Sequence, residues 1–227
     1  MTNWVLKKTV GDSSLSRKYL VRSGKVKELN LTTAIELLED AWCGNPGAWK
    51  EHSYYVAEAA RIIALHTKKM DSNKAYILGL IHDIGRKFGI SHLKHAIDGY
   101  RYLSNLGYAY EAEICLTHSF PIKIVESYSG SLDCTKEEID FLSDFLSKTT
   151  YNDYDLLIQL CDAIASKDGF CVLEERLIDV AIRNGVNEFS IEKWKRFKEL
   201  KIYFDKLVGA DIYYLLKIKE GDTCRRL

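Results

Sequence analysis

Only two prolines, Pro46 and Pro121, interrupt 227 residues. Apolar side chains recur at three- and four-residue intervals along most of the chain, a period that suits helices and not strands. The expected fold class is therefore all-α. Punctuation residues mark the helix ends. Thr33 with Glu36 reads as a capping box before AIELLEDAW, and Asn45 with Pro46 as a cap and first-turn proline before AWKEHSYYVAEAARIIALHT. Asp71 precedes SNKAYILGLIHD, Gly107 closes LKHAIDGYRYLSNL, and Pro121 stops YAYEAEICLTHS. Thr135 with Glu138 opens KEEIDFLSDFL, and Asn152 caps DYDLLIQLCDAIAS. Further helices are expected over 172–218. There Ile191, Trp194, Phe197, Phe204 and Leu207 form an apolar stripe, with Lys193, Lys195, Arg196 and Lys198 on a solvated face. Residues 1–30 show no decisive period and read as an N-terminal arm, with KYLVRSGKVKEL either a hairpin or irregular. Residues 31–227 then form one helical domain.

Composition narrows the function classes. Thirty-two basic and thirty-two acidic residues cancel, which argues against a protein that coats a nucleic-acid backbone. No apolar run is long enough for a bilayer span or a signal peptide, so a cytoplasmic, non-membrane protein is expected. Six scattered cysteines without a CxxC pair suit reduced, buried thiols better than a disulfide framework; Cys115 and Cys161 fit core packing.

The chemistry-bearing residues are the histidines. His52 lies within a helix, His82 and Asp83 end one, His95 starts one, His118 ends one, and Asp162 sits in the apolar helix LLIQLCDAIAS. An imidazole or carboxylate among apolar neighbours is expensive unless partnered, and one bound cation can satisfy several together. Mixed nitrogen and oxygen donors without clustered thiolates suit Fe, Mn, Co, Ni, Zn or Mg. His66 stands fourteen residues beyond His52, about 21 Å along one helix axis at ~1.5 Å per residue, too far to share an ion. His92 reads as a loop residue.

The ordered pattern His52, His82–Asp83, Asp162 resembles the HD superfamily of metal-dependent phosphohydrolases over about residues 48–166. HSYYVAEAA is similar to the family's first helix, GLIHDIGR to its HD turn, and KHAIDGYRYL to its His-x3-Gly-x3-Leu helix. The resemblance implies a helical bundle with extra C-terminal helices and His52, His82, Asp83 and Asp162 as ligands of one metal. His95 and His118 stand where two-metal branches place further ligands, with Asp83 bridging. The implied reaction is attack of metal-bound hydroxide on the phosphorus of a nucleotide or other small phosphate ester or anhydride, with Asp83 and Arg86 as catalytic residues and Arg86 and Lys87 binding the phosphate. Lys123 and Lys167 are weaker candidates for phosphate contact. Gly85 would turn the chain as its helix ends, and Gly99 would let another backbone approach.

Among branches, the six ligands are similar to diadenosine tetraphosphatases, although THSFP departs from the Thr-Gly context expected there. HDIG occurs without the paired histidines and Gly-Tyr-Pro motif of cyclic-dinucleotide enzymes, and the relaxed nucleotidase branch leaves His95 and His118 without use. Two readings of other kinds stand beside these: a di-iron oxygenase of the same helical family, and a nucleotide- or metal-sensing module whose helices over 191–217 dock a partner or a second copy in a homodimer.

Overall fold

The computed structural model describes residues 27–219; residues 1–26 and 220–227 lie outside it, and with them most of the expected N-terminal arm. Among the described residues ten α-helices follow one another: α1 Leu31–Gly44, α2 Trp49–Thr67, α3 Ser72–Ile81, α4 Lys94–Leu106, α5 Ala109–Thr117, α6 Lys136–Lys148, α7 Asp153–Ala163, α8 Leu173–Asn184, α9 Ser190–Val208 and α10 Ile212–Leu215. Short 3-10 turns occupy Ile84–Phe88 and Val125–Ser127. Among the described residues there is no strand, and the fold is an all-α HD-type bundle extended by C-terminal helices.

Several helix starts follow from their caps. Asp71 accepts the amides of Asn73 and Lys74, while Thr135 with Glu138 and Asn152 with Asp155 form reciprocal capping boxes. Two starts differ from the sequence expectation. Asn30, not Thr33, caps α1: its Oδ1 accepts the Thr33 amide at 3.0 Å, and the better cap just outside the helix wins. Ala48, not Asn45, precedes α2, because two indoles fix the link between the helices. Trp42 Nε1 donates to the Gly47 carbonyl at 3.2 Å, and Trp49 Nε1 to that of Asn45 at 2.9 Å.

The central pair is α2 with α3. Small residues on α2, Ala57, Ala60 and Ala64, are fully buried, and Gly79 lets α3 come against them. A Cβ on Gly79 would lie 2.4 Å from Ala57 Cα. Leu78, Leu80, Ile81 and Ile63 are buried around this contact, each worth about 1.5–3 kcal/mol in transfer from water. A second apolar cluster, including Leu93, Ile97, Leu116, Phe120, Leu142 and Leu146, joins α4, α5 and α6.

Helix α9 closes the bundle against α7 and α2 by Phe197, Leu200 and Phe204. Of the expected stripe, Phe197 and Phe204 are buried, Trp194 and Leu207 are half-buried, and Ile191 is exposed. Lys193 is a correction. It lies at four-, seven- and eleven-residue spacing from Phe197, Leu200 and Phe204, so it turns inward with them and is buried. Cys43, Cys115, Cys134 and Cys161 are free thiols as expected, but Cys171 is disulfide-bonded, a pairing that scattered spacings do not reveal.

Candidate metal centre

Five segments bring the six sequence-selected ligand residues to one place. His52 enters from the first turn of α2, His82 and Asp83 from the end of α3, and His95 from the first turn of α4. His118 comes from the end of α5 and Asp162 from the last turn of α7. They fall into two groups, His52–His82–Asp162 and Asp83–His95–His118, each with donor atoms within 4.8 Å of one another. Asp83 stands between the groups: its Oδ1 is 3.0 Å from His95 Nε2 and 3.6 Å from His118 Nε2, and its Oδ2 is 3.9 Å from His82 Nε2.

The backbone fixes which imidazole nitrogens face inward. His82 Nδ1 lies 2.7 Å from the Gly79 carbonyl, His118 Nδ1 2.9 Å from that of Cys115, and His95 Nδ1 against that of His92. A carbonyl only accepts, so each Nδ1 carries the hydrogen and each neutral ring turns an Nε2 lone pair to the centre. His95 Nε2 and His118 Nε2 thus face each other at 3.2 Å, with the Asp83 carboxylate beside them. Converging lone pairs repel unless a cation lies among them. Donors ~2.1 Å from one ion and at right angles stand about 3.0 Å apart, and His52 Nε2 to Asp162 Oδ1 is 2.9 Å. His82 Nε2 and His52 Nδ1 are buried without a hydrogen-bond partner. The donor set fits divalent metal.

Electrostatics keep these donors in ligating form. Burial alone would push the Asp83 carboxyl up, but the Arg86 guanidinium bonded to it, with the His95 and His82 rings beside it, outweighs burial and holds the group well below the usual range. Burial also opposes ionisation of Asp162, and its close contact with His52, with His82 and His118 nearby, brings it down instead. Burial lowers His118 to about 3, helped by His82 and His95, and lowers His52 against the pull of Asp162. Ionised carboxylates beside neutral imidazoles are what a divalent cation binds.

Packing holds the segments in place. Gly85 adopts no left-handed turn; it sits in the 3-10 segment after Asp83 and lets that backbone press on α4. A Cβ there would lie 1.9 Å from the His95 carbonyl oxygen and 2.4 Å from the Gly99 amide nitrogen. The chain leaves α3 just before Gly85, where the expected turn is made with a close approach to α4 and no left-handed residue, and Gly99 provides the other half of that approach. On the opposite side Gln159 Nε2 donates to the Thr117 and Phe120 carbonyls, and Thr117 Oγ1 to Asp155, anchoring the segment that carries His118.

The donors open into a cavity of about 570 Å³, the size of a small-ligand site. Arg86 lines it, with Nε donating to Asp83 Oδ2 at 2.6 Å and a terminal nitrogen to the Ser91 carbonyl at 3.4 Å. Lys87 does not: its ammonium bonds Asp40 at 2.5 Å and the Tyr102 hydroxyl at 3.3 Å, which removes it from the phosphate contacts expected of it. Lys123 is turned to the Thr149 carbonyl, and Lys167 reaches the rim paired with Asp168 at 2.8 Å. His92 lies in a loop as expected, and it is exposed there while also lining the cavity; His66 lies exposed at the far end of α2. Cys115 and Cys161 are buried in the core.

Sequence reasoning missed Tyr128, Arg176, Arg183 and Lys193, all of which line the cavity. The register of Lys193 with Phe197 and Phe204 was a usable signal. For α8 there was none, because which face of it turns inward depends on the assembled bundle.

An all-α bundle that gathers histidines and aspartates from successive helices into paired groups able to hold an ion defines a helical metal-binding class. The HD domain family model matches residues 49–167, slightly more than half of the chain, and the chain belongs to the HD family, a superfamily of metal-dependent hydrolases. No curated protein and no solved structure matches it. Among the described residues no helix is long and apolar enough to cross a membrane.

Proposed function

We propose that the protein is a metal-dependent phosphohydrolase acting on a nucleotide or other small phosphate ester or anhydride, with His52, His82, Asp83, His95, His118 and Asp162 holding two divalent ions. The observation that carries this reading is the pair of donor groups at the floor of one cavity, with converging lone pairs and with Asp83 of one group 3.9 Å from His82 of the other. Divalent ions bound there would supply acidified water and charge neutralisation for a phosphoryl group. The chain does the rest. Three backbone carbonyls hold His82, His95 and His118 in the tautomer that presents Nε2, and Arg86, which lines the cavity, orients Asp83 through its Nε and would offer its free N–H groups to phosphoryl oxygens. Net hydrolysis adds water across the bond between phosphorus and the leaving oxygen.

Phosphate release from a panel of nucleotides and small phosphate esters tests this, using protein stripped of metal and reconstituted separately with Mn, Fe, Co, Ni, Zn and Mg. Metal-dependent release that disappears in Asp83→Ala is the expected result. Stoichiometric metal with no release from any compound would overturn the reading, and oxygen uptake in its place would assign an oxygenase.

A further inference from the structure

The cavity has a second wall, made by α8 and α9, that lies beyond the donor groups and outside the matched HD segment. Lys193 is only 7% exposed, yet its ammonium meets neutral acceptors alone: the Ser127 carbonyl at 3.1 Å and Ser129 Oγ at 3.4 Å. No carboxylate among the described residues comes within ion-pair distance of it. A buried ammonium without a counter-ion is expensive, and the space it faces is the cavity.

Helix α8 turns charged side chains inward beside its apolar Leu173 and Leu177. Arg176, Asp179 and Arg183 face the cavity at three- and four-residue spacing, while Ile178 and Ile182 point outward at 52% and 76% exposure. The Asp179 carboxylate braces both guanidinium groups: its Oδ2 accepts from Arg176 at 3.3 Å and from Arg183 at 3.0 and 2.9 Å. Among the described residues of α8 and α9 that line the cavity, Asp179 is the one acidic residue against three cations, Arg176, Arg183 and Lys193, so the wall is cationic. Arg176 and Lys193 also lie near enough to Asp162 for its charge to act on both, which puts the wall beside the donor groups.

We propose that Arg176, Arg183 and Lys193 form an anion subsite for a second phosphate group of the substrate, the one not attacked, so that the substrate class is a diphosphate or longer phosphate chain and not a lone monoester. The proposal rests on the phosphohydrolase reading for which phosphate is attacked, but the subsite is defined by binding. Guanidinium forks and a desolvated ammonium recognise phosphoryl oxygens by charge-assisted hydrogen bonds, which are the strong ones.

The test is calorimetric titration of the metal-loaded full chain with inorganic phosphate and with methylenediphosphonate, a diphosphate analogue that cannot be hydrolysed, both titrants equilibrated at the same free metal concentration. The readout is the ratio of the two affinities. Removing one charge-assisted contact should lower the preference for the diphosphonate about tenfold in Lys193→Met and again in Arg176→Gln. Lys193→Arg, which keeps the charge, should retain most of the preference, and Arg183→Gln, which should lose it, takes the place of Lys193→Met if that variant does not fold. A ratio unchanged in Arg176→Gln and in Lys193→Met, or in Arg176→Gln and Arg183→Gln where Lys193→Met does not fold, overturns the subsite. If no compound is hydrolysed but the ratio falls in the variants, the hydrolase reading fails and the subsite stands. Hydrolysis with an unmoved ratio leaves the hydrolase reading standing and removes the subsite.

Discussion

The floor and the far wall of the same cavity are built on opposite electrostatic plans. The floor gathers neutral imidazoles and ionised carboxylates whose lone pairs converge, so it is short of positive charge. The wall on α8 and α9 gathers three cations around one carboxylate and leaves Lys193 with neutral partners, so it is short of negative charge. A ligand made of cations on one side and an extended anion on the other satisfies both. Each half is costly alone, which ties the two regions to one occupant more firmly than proximity does.

Breaking the floor should have the largest effect. Asp83→Ala removes the carboxylate of one donor set, which also lies 3.9 Å from His82 of the other, and the partner of Arg86, so turnover should fall by on the order of a thousandfold or more as several kcal/mol of charge stabilisation go. Metal analysis on the purified variant should show substoichiometric ion. Full metal content with parental turnover would remove Asp83 from the centre.

Gly85→Ala attacks the same floor through its packing. The new methyl would meet backbone, not a flexible side-chain end, 1.9 Å from the His95 carbonyl oxygen, so a destabilisation of about 3–5 kcal/mol is expected in thermal or denaturant unfolding. Gly99→Ala meets Cys115 Sγ first, at 2.9 Å, and should cost less, about 1–3 kcal/mol. Equal costs would mean that Gly85 does not set the spacing of the 3-10 segment from α4.

The wall predicts the opposite sign. Burial brings the Lys193 ammonium down to about 8 from its ordinary 10.5, against the pull of Asp162. Below pH 8 the group is charged in folded and unfolded protein alike, so the penalty of burying it is present in full; between 8 and 10.5 only the unfolded chain keeps the proton, and the penalty disappears as pH rises. Lys193→Met should therefore stabilise the ligand-free protein by roughly 1–3 kcal/mol at pH 7, and that gain should shrink toward zero near pH 10.5. Denaturant melts of both proteins across that range measure it. A residue that lowers stability and improves ligand binding is what the wall requires; a destabilised Lys193→Met at pH 7 would make Lys193 a structural cation.

The two regions also differed in how far they could be foreseen. The donors were legible because each is a costly residue type at a helix end or in an apolar run, in an order that the family shares, and the bundle brings all six together. Local caps were equally plain at Asp71, Thr135 and Asn152, where one side chain meets amides two or three residues on. What failed needed the assembled chain: the indoles that shift the start of α2, the backbone pressed on Gly85, and the inward turn of Arg176. Lys193 lies between these cases. Its register was in the sequence, but the charge suggested solvent.

A change at a cap should leave the floor and wall alike untouched. Thr135→Ala removes the acceptor of the Glu138 amide at the start of α6 and should cost about 1 kcal/mol in unfolding, with metal content unchanged, since α6 supplies no residue to the cavity. Metal loss in this variant would show that the second apolar cluster under α6 also tunes the donors.

The smallest effect is expected at Lys87, and its contrast with Arg86 is sharp because the two are adjacent in sequence. In a 3-10 segment of three residues per turn, neighbours point about 120° apart, so Arg86 faces Asp83 and the cavity while Lys87 reaches across to Asp40 on α1 and stacks on Tyr102. Asp40 is largely exposed, and an ion pair of that kind contributes about 0–1 kcal/mol. Lys87→Ala should therefore leave kcat and KM within about twofold of the parent, whereas Arg86→Gln should lower kcat on the order of a hundredfold, because it loses both the orientation of Asp83 and donors aimed at the phosphoryl oxygens. Paired kinetics on the two variants decide it. A deficit of similar size at both positions would place the phosphate along the outer rim of the 3-10 segment, away from the wall that α8 and α9 present.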